Sequence, residues 1–393
     1  MLGTIYIGMS GLDSYSRGLK TISNNVTNLN TPGFKTGHLQ FTDMFYQGED
    51  ANTGTHQHAQ GVSTLNTSLN FAAGDFRNTG NPLDVAIDGR GFFVLRDEHG
   101  NITYTKAGQF EFNDQGILVN RVGGEKVMGF GSNGQLQEIS LAGVNSSKPK
   151  ASASVVFKGN LSSGDSDHTI NNVSVFDNAG KEHVLKILFN NKVEDAATGE
   201  VKWDVTISED GASPTTGNVK FKNSLPVIGS DSVSMTFSPV GVTASTVVFK
   251  LGSDVTGYSL GADSSLAVNT KDGYGVGTVT GQSFDEEGKL VLKYSNGQTD
   301  KPFQLAMARF DSFDSLQQIG NNQFSIADLD QVRYGVAGKG QETIKTSSVE
   351  ISNVDLSQEF SDLILMQRGY QASSQMVSAA NEMIQQLLEM KGR

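Results

Sequence analysis

Residues 2–29 read LGTIYIGMSGLDSYSRGLKTISNNVTNL. Leu2, Ile5, Met9, Leu12, Tyr15, Leu19, Ile22, Val26 and Leu29 recur there at steps of three or four. Near the other end Leu356, Phe360, Leu363, Tyr370, Val377, Ala380, Ile384 and Leu387 keep similar steps, with Gln367 and Ser374 at two further seam positions. Such spacing lays one apolar stripe along a helix, and a stripe has to bury against something. Two terminal stripes therefore predict a helical pair that joins the ends of the chain. Gly3, Gly8, Gly11 and Gly18 each cost about 1 kcal/mol relative to Ala in a helix interior, so the N-terminal helix is expected to need neighbouring chains to hold it. Leu363 and Ile384 read as the most sensitive stripe positions, whereas Glu359 and Lys391 lie off the stripe and are expected to tolerate change.

Between the stripes the composition turns β-rich. The chain has 393 residues with 45 Gly, 7 Pro, 22 Phe and one Trp, which suits about two or three domains with many turns. The helix from the first stripe is expected to end near Asn28, where Pro32 and Gly33 follow. Residues 31–70, with 345–354, read as an extended connector carrying one or two strands, one of them in Gly61-Val62-Ser63-Thr64-Leu65-Asn66-Thr67. From Leu83 to Asp88 the residues alternate, Gly89-Arg90-Gly91 turns, and Phe92-Phe93-Val94-Leu95 resumes, which predicts a β-hairpin. A first β domain is placed at 71–144 and 273–344. A second, rich in Ser, Thr, Val and Gly, is inserted at 145–272. Residues 1–30 and 355–393 form the helical terminal domain. Asp177 to Gly180 and Asp285 to Gly288 share an Asp-x-x-Gly pattern that reads as turn chemistry.

The formal charge of −12 and the lack of a basic run exclude a nucleic-acid groove. The longest apolar runs fall well short of the ~20 residues a membrane helix needs. No charged start followed by an apolar block marks a secretory signal. Absent cysteine excludes disulfides, thiolate metal sites and a Cys nucleophile.

Chemistry is sought and no candidate catalytic, cofactor or metal site emerges. His56-Gln57-His58 would point two imidazoles to one face of a strand, but its neighbours carry no carboxylate. Gly129-Phe130-Gly131-Ser132-Asn133-Gly134 has the letters of a dinucleotide fingerprint without the helix or the distant acid that the mechanism needs, so a tight turn is expected. Asp165 and Asp167 resemble the start of a calcium loop but lack its sixth-position Gly and closing Glu. Glu286-Glu287 falls in a predicted turn, where two solvated charges are the ordinary outcome.

Four stretches carry more than composition. Ser23-Asn24-Asn25-Val26-Thr27-Asn28-Leu29-Asn30-Thr31-Pro32-Gly33-Phe34-Lys35 resembles the N-terminal signature of the bacterial flagellar rod and hook proteins, an axial protein family. Leu83 to Phe93 and Tyr104 to Phe110 look like that family's first-domain motifs. Ser352-Asn353-Val354-Asp355-Leu356, followed by Gln367-Arg368-Gly369-Tyr370-Gln371-Ala372, is similar to its C-terminal signature. Thr27 stands where the family has Ala, and Gly369 lies inside the C-terminal helix motif. Val175 to Leu185 resembles a segment of hook members, and length with the inserted domain favours these over the shorter distal rod members.

The resemblance implies a mainly β subunit with paired α-helical termini that self-assembles into a helical tube outside the cell, its helices lining the inner channel. It implies a flexible joint passing torque from rod to filament and export through the flagellar type III apparatus. Implied partners are further copies of the chain, the distal rod protein, the hook cap and the hook–filament junction proteins, with no cofactor, nucleic acid or membrane insertion. Heterologous contacts that do not close make filaments, in keeping with terminal stripes that one chain cannot bury. Three alternatives stand beside it: a distal rod protein, a secreted β-rich adhesin with a helical stalk, and a polysaccharide-acting enzyme, which would need a buried acid pair that is not seen.

Overall fold

The structure is a computed structural model that describes residues 2–44, 47–48, 57–58, 61–238, 241, 243–261, 263–338 and 342–391. His56 lies outside these residues, and so does the side chain of His58. Two long helices, α1 (Leu2–Thr27) and α2 (Leu356–Lys391), bracket a body built almost wholly of strands. The chain is thus mainly β with α-helical termini.

Local chemistry fixes where the helices begin and end. At the close of α1 the Asn28 side-chain amide donates to Asn24 O at 2.9 Å and Thr27 Oγ1 to Ser23 O at 2.8 Å. Gly33 then turns the chain at φ 71°. Before α2, Asp355 Oδ1 accepts from Ser357 N at 2.9 Å and Gln358 N at 3.3 Å, which satisfies two of the donors that a helix start leaves open.

The chain divides into two compact units, one of Met1–Ala142, Gln282–Val291 and Lys301–Arg393, the other of Gly143–Gly281 and Leu292–Asp300. The first unit centres on an 11-stranded sheet that includes Phe92–Arg96, Ile102–Thr105, Lys126–Gly131 and Gln323–Ile326. Phe92, Tyr104, Phe310 and Phe324 are buried in its core. Edge-to-face pairs such as Tyr104–Phe310, with ring centroids 4.9 Å apart, and Phe92–Phe310, at 5.2 Å, fix their packing.

The expected hairpin at 83–95 does not form. Val85–Asp88 pairs antiparallel with Thr343–Thr346, while Phe92–Arg96 pairs with Ile102–Thr105 and Lys126–Gly131. Val85, Ala86 and Ile87 are all fully buried, so this strand is covered on both faces and its alternation does not report one solvated side. The segment expected as a connector with one or two strands, one of them within 61–67, carries such strands. Gly37–Asp43 and Val62–Leu69 form an antiparallel pair that lies on α1, where Ser10 Oγ accepts from Val62 N at 3.3 Å.

The Asp-x-x-Gly pattern is a recurring hairpin turn. At Asp97, Asn113, Asp177 and Asp285 the side-chain oxygen accepts from the backbone N–H groups two and four residues on. The fourth residue is a Gly at positive φ: 89° at Gly100, 72° at Gly116, 82° at Gly180 and 72° at Gly288. Asp and Asn supply the acceptor and Gly the left-handed backbone, which is why these residue types stand there. Glu286 and Glu287 occupy the middle of one such turn and form no buried dyad. Gly129 to Gly134 likewise ends a strand and enters a hairpin turn.

The second unit holds a five-stranded sheet (His168–Phe176, Glu182–Asp195, Glu200–Glu209, Thr215–Lys222, Leu225–Pro226) and a four-stranded one (Ser232–Phe237, Ser245–Thr256, Ser154–Asn160, Ala267–Lys271). Their inward residues share one core around Trp203, Phe157, Phe189 and Phe221. The alternation of buried and exposed positions along Glu182–Asp195 and Ser232–Phe237 is the period of two that a half-buried strand requires. This unit extends beyond 145–272. Ser146 and Ser147 pair with Thr278 and Gly277, and Leu292 and Lys293 with Asp300 and Thr299, so residues read as part of the first domain are tied here.

Candidate functional site

The helices α1 and α2 pack antiparallel, and small residues set the seam. A methyl group on Gly8 would sit 2.6 Å from Val377 Cγ2, one on Gly11 2.7 Å from Ser373 Oγ, and one on Gly18 2.8 Å from Met366 Sδ. From the other side, a methyl on Gly369 would meet the Tyr15 ring at 2.5 Å. Ile22, Ser14, Ser373 and Ala380 are buried beside them. The glycines read from sequence as a helix-weakening cost are therefore the notches that admit the partner helix. Gln367 and Ser374, placed in the seam by sequence, are exposed, and Met366 and Ser373 take their places. A shift of one residue turns a position by roughly 100° around the helix, enough to move it from seam to surface.

At its base the seam closes on a polar clamp. Asn25, 1% exposed, donates through Nδ2 to Gly37 O and to Glu359 Oε1, both at 2.9 Å, and its Oδ1 accepts from Gly37 N at 3.0 Å. One side chain thus ties α1, the first strand and α2 together. Glu359 is buried, and burial raises its carboxyl above the ordinary range. The expectation that Glu359 tolerates change is corrected, because its head group is the α2 half of this clamp. The Lys391 side chain lies outside the described residues.

The next motif residues continue the joint. Gly33 N donates to Glu350 O at 2.8 Å, and a side chain on Gly33 would collide with the Ala107 backbone. Asn322 Nδ2 donates to Pro32 O at 2.9 Å, and Thr31 Oγ1 to Asn28 Oδ1 at 3.0 Å. Phe34 is buried. Lys35, fully buried, donates to Glu350 Oε1 at 2.6 Å and to Ala72 O at 2.8 Å. Thr36 N donates to Asn353 Oδ1 at 2.9 Å. Nearby Lys106 is also buried, its ammonium donating to Gly89 O at 2.7 Å and lying 5.1 Å from the Phe92 ring centroid. Burial lowers its pKa to about 8. Sequence reasoning placed Lys106 and Asn353 within family motifs without assigning them partners, and it passed over Glu350; Glu350, Asn353 and Glu359 meet Lys35, Thr36 and Asn25 from the far end of the chain.

The stripe residues divide. Ile22 is buried, and Ile5, Leu12, Leu19, Val26, Leu29, Leu363, Val377 and Ile384 are half-buried. Met9, Leu356, Phe360, Tyr370 and Leu387 are exposed. The side chain of Leu2 lies outside the described residues. The motif residues Gln367, Arg368 and Gln371 are exposed beside Tyr370, and Asn24 is exposed on α1.

A second apolar row, of which Leu387 alone belongs to the stripe read from the sequence, runs along α2. Leu365, Ala372, Met376, Ala379, Met383, Leu387 and Met390 are all exposed and follow steps of three, four or seven, which places them on one flank. Leu365 is 65% and Met390 77% exposed. In the register set by Gly8 against Val377 and Gly11 against Ser373, Leu2 comes level with about residue 382 on a common rise per residue. The last turns of α2 thus extend beyond α1. Such a row of exposed apolar residues is a candidate interaction face.

No group of His, Asp and Glu suited to holding a metal occurs among the described residues. His183 lies between Asp177 Oδ2, at 3.2 Å, and Glu209 Oε1, at 2.9 Å, with its ring 4.2 Å from that of Phe237. His168 Nε2 is 2.8 Å from Leu266 O. Both join neighbouring segments of the second unit. No described helix is long and apolar enough to cross a membrane.

Comparison with known proteins gives four family matches in chain order. The model described as flagella basal body rod protein matches residues 5–35, flagellar hook protein FlgE/F/G D1 domain 86–155, flagellar basal body protein FlaE D2 domain 160–334, and flagellar basal body rod FlgEFG protein C-terminal 345–390. The chain is 27% identical over 447 residues to the flagellar hook protein FlgE of Borreliella burgdorferi, covering 100% of both. It is 28% identical over 413 residues to that of Escherichia coli, covering 98% of both. A crystal structure of Helicobacter pylori flagellar hook protein FlgE2 matches with TM-score 0.49 and 13% identity, over 70% of this chain and 100% of that one.

Proposed function

Because the chain belongs to the bacterial flagellar rod and hook protein family, we propose that it is a structural subunit of the flagellar hook, which polymerises through its terminal helices into a tubular joint between rod and filament. The observation that carries this reading is the distribution of apolar residues on the helix pair. The internal seam closes where Gly8, Gly18 and Gly369 admit Val377, Met366 and Tyr15, while Leu365, Met376, Met383, Leu387 and Met390 are exposed. Covering that flank with further copies of the chain removes it from water, at about 25 cal/mol per Å2 buried. The Asn25 clamp and the Lys35–Glu350 pair make the joint between helices and β body stiff, as a part that passes torque requires. In this reading the subunit performs no catalysis, leaves the cell through the flagellar type III apparatus, and meets the distal rod protein, the hook cap and the junction proteins at the ends of the tube. The three-part layout of helical stem, first β domain and inserted β domain belongs to the same proposal.

The experiment uses Leu365→Asp and Met383→Asp, on the exposed flank. Circular dichroism of each purified variant should match the parent, and electron microscopy should show loss of tubes. Normal tubes from both variants overturn the assembly surface proposed here. Leu363→Asp and Ile384→Asp serve as a contrast, because Leu363 and Ile384 are half-buried and a charge there disturbs the seam as well as assembly.

A further inference from the structure

We propose that Asn133 is a site of spontaneous deamidation, a slow chemical modification that places a new negative charge on the first unit, and that the fold protects the second copy of the same sequence. The tetrapeptide Ser-Asn-Gly-Gln occurs at 132–135 and again at 295–298. Both copies form the same turn. Gly134 N donates to Gly131 O and Gly297 N to Tyr294 O, each at 2.9 Å, and Asn133 Oδ1 and Asn296 Oδ1 each accept from the following Gln N at 3.1 Å. Both glycines have positive φ, 72° and 78°, with open space where a side chain would lie.

What differs is the leaving group. Asn296 Nδ2 is held by Ser147 Oγ at 2.7 Å and Gly275 O at 2.8 Å, in a half-buried position. Asn133 is exposed, and its Nδ2 has no partner among the described residues. In the reaction the Gly134 backbone nitrogen attacks Asn133 Cγ. The new C–N bond closes a succinimide, the Cγ–Nδ2 bond breaks, and ammonia leaves with the proton from the attacking nitrogen. Water then opens the ring at either carbonyl, giving aspartate or isoaspartate; the net change is amide plus water to carboxylate plus ammonium. The attack requires Cγ to swing over the backbone nitrogen and Nδ2 to depart. Beyond the Oδ1 bond that both copies share, two hydrogen bonds on Nδ2 resist both movements at Asn296 and have no counterpart at Asn133 among the described residues, which should slow Asn296 about tenfold. A subunit that stays in place outside the cell has time to accumulate such a change, and thermolability of this kind is general for Asn.

The test incubates the full chain in mildly alkaline buffer made with oxygen-18 water and follows both peptides by mass spectrometry. Label should enter the 133 peptide about tenfold faster than the 296 peptide in the folded protein, and at equal rates in urea, where the identical sequences lose their surroundings. Ser147→Ala should bring the 296 rate towards that of 133. Equal rates in the folded chain, or an Asn133 that keeps its amide while the unfolded control loses it, would overturn the assignment.

Discussion

Replacing Asn25 by Ala removes three hydrogen bonds at one stroke and tests whether the helix pair is fastened where the structure places its clamp. The change leaves Gly37 N–H, Gly37 C=O and Glu359 Oε1 without the partners that they have at 2.9 to 3.0 Å. A buried polar group that loses its partner costs about 1–3 kcal/mol. Water entering the small vacated space recovers part of this, so the net loss for the three groups should be about 3 kcal/mol. Local opening at the Gly37 amide then becomes about a hundredfold easier, since each 1.4 kcal/mol is a factor of ten. Native-state hydrogen exchange on the unassembled chain reads this directly, while urea unfolding followed in the helices reads the wider loss. Asn25→Asp should be worse than Ala, because it keeps the acceptor for Gly37 N, loses both donated bonds and sets a second carboxylate beside buried Glu359. If Gly37 exchanges at the parent rate in both variants, the clamp does not hold the seam and the reasoning fails.

Three further outcomes follow from the same joint. Gly11→Ala and Gly369→Ala should each lower the melting temperature despite the gain in helix propensity, with crowding costing about 1–3 kcal/mol, whereas Gly3→Ala, with nothing within 4 Å, should not. Lys106 has its pKa lowered from 10.5 to about 8 by burial, so the unfolded chain binds more protons between these values and stability contributed at this site rises with pH across that window. Lys106→Met should therefore gain about 3 kcal/mol at most at pH 7 and markedly less near pH 10 in urea titrations. Glu359 has its carboxyl raised by burial, so its contribution is present below the ordinary carboxylate range and is lost as pH rises through the folded value; Glu359→Gln, which can still accept from Asn25, should remove that loss when unfolding is compared at acid and neutral pH.

Elements with one solvated face were legible in the sequence. The strand read within Gly61 to Thr67 forms as Val62–Leu69, and the two terminal periodicities become α1 and α2. Elements whose partner lies far along the chain were not. Val85–Asp88 finds Thr343–Thr346 rather than the adjacent strand, and a strand buried on both faces carries no alternation that could tell the two pairings apart. The seam was legible as a location but not in its chemistry. Propensity charges Gly8, Gly11, Gly18 and Gly369 with a local cost, and only the opposing helix shows what they admit. Glu359 reads as a surface acid until Asn25, at the other end of the sequence, is placed beside it.

The helix pair keeps much apolar surface exposed outside its seam, and this bears most directly on function. An isolated antiparallel pair is ordinarily held by Leu and Ile in the seam with polar residues outside. Here Gly8, Gly11, Gly18 and Gly369 admit Val377, Ser373, Met366 and Tyr15 to the seam, while Met9, Phe360, Leu365, Met376, Met383 and Leu388 are exposed. Close approach of two backbones gives dispersion contact but buries little apolar area per residue, so the pair gains modestly from the hydrophobic effect. The larger reserve stays on the outside, where only other chains can use it. If the proposed assembly surface is used, the helices gain more apolar burial in company than alone. In the assembly proposed here, covering that outer surface would add apolar burial to a pair that the glycine seam and the Asn25 clamp already bring together.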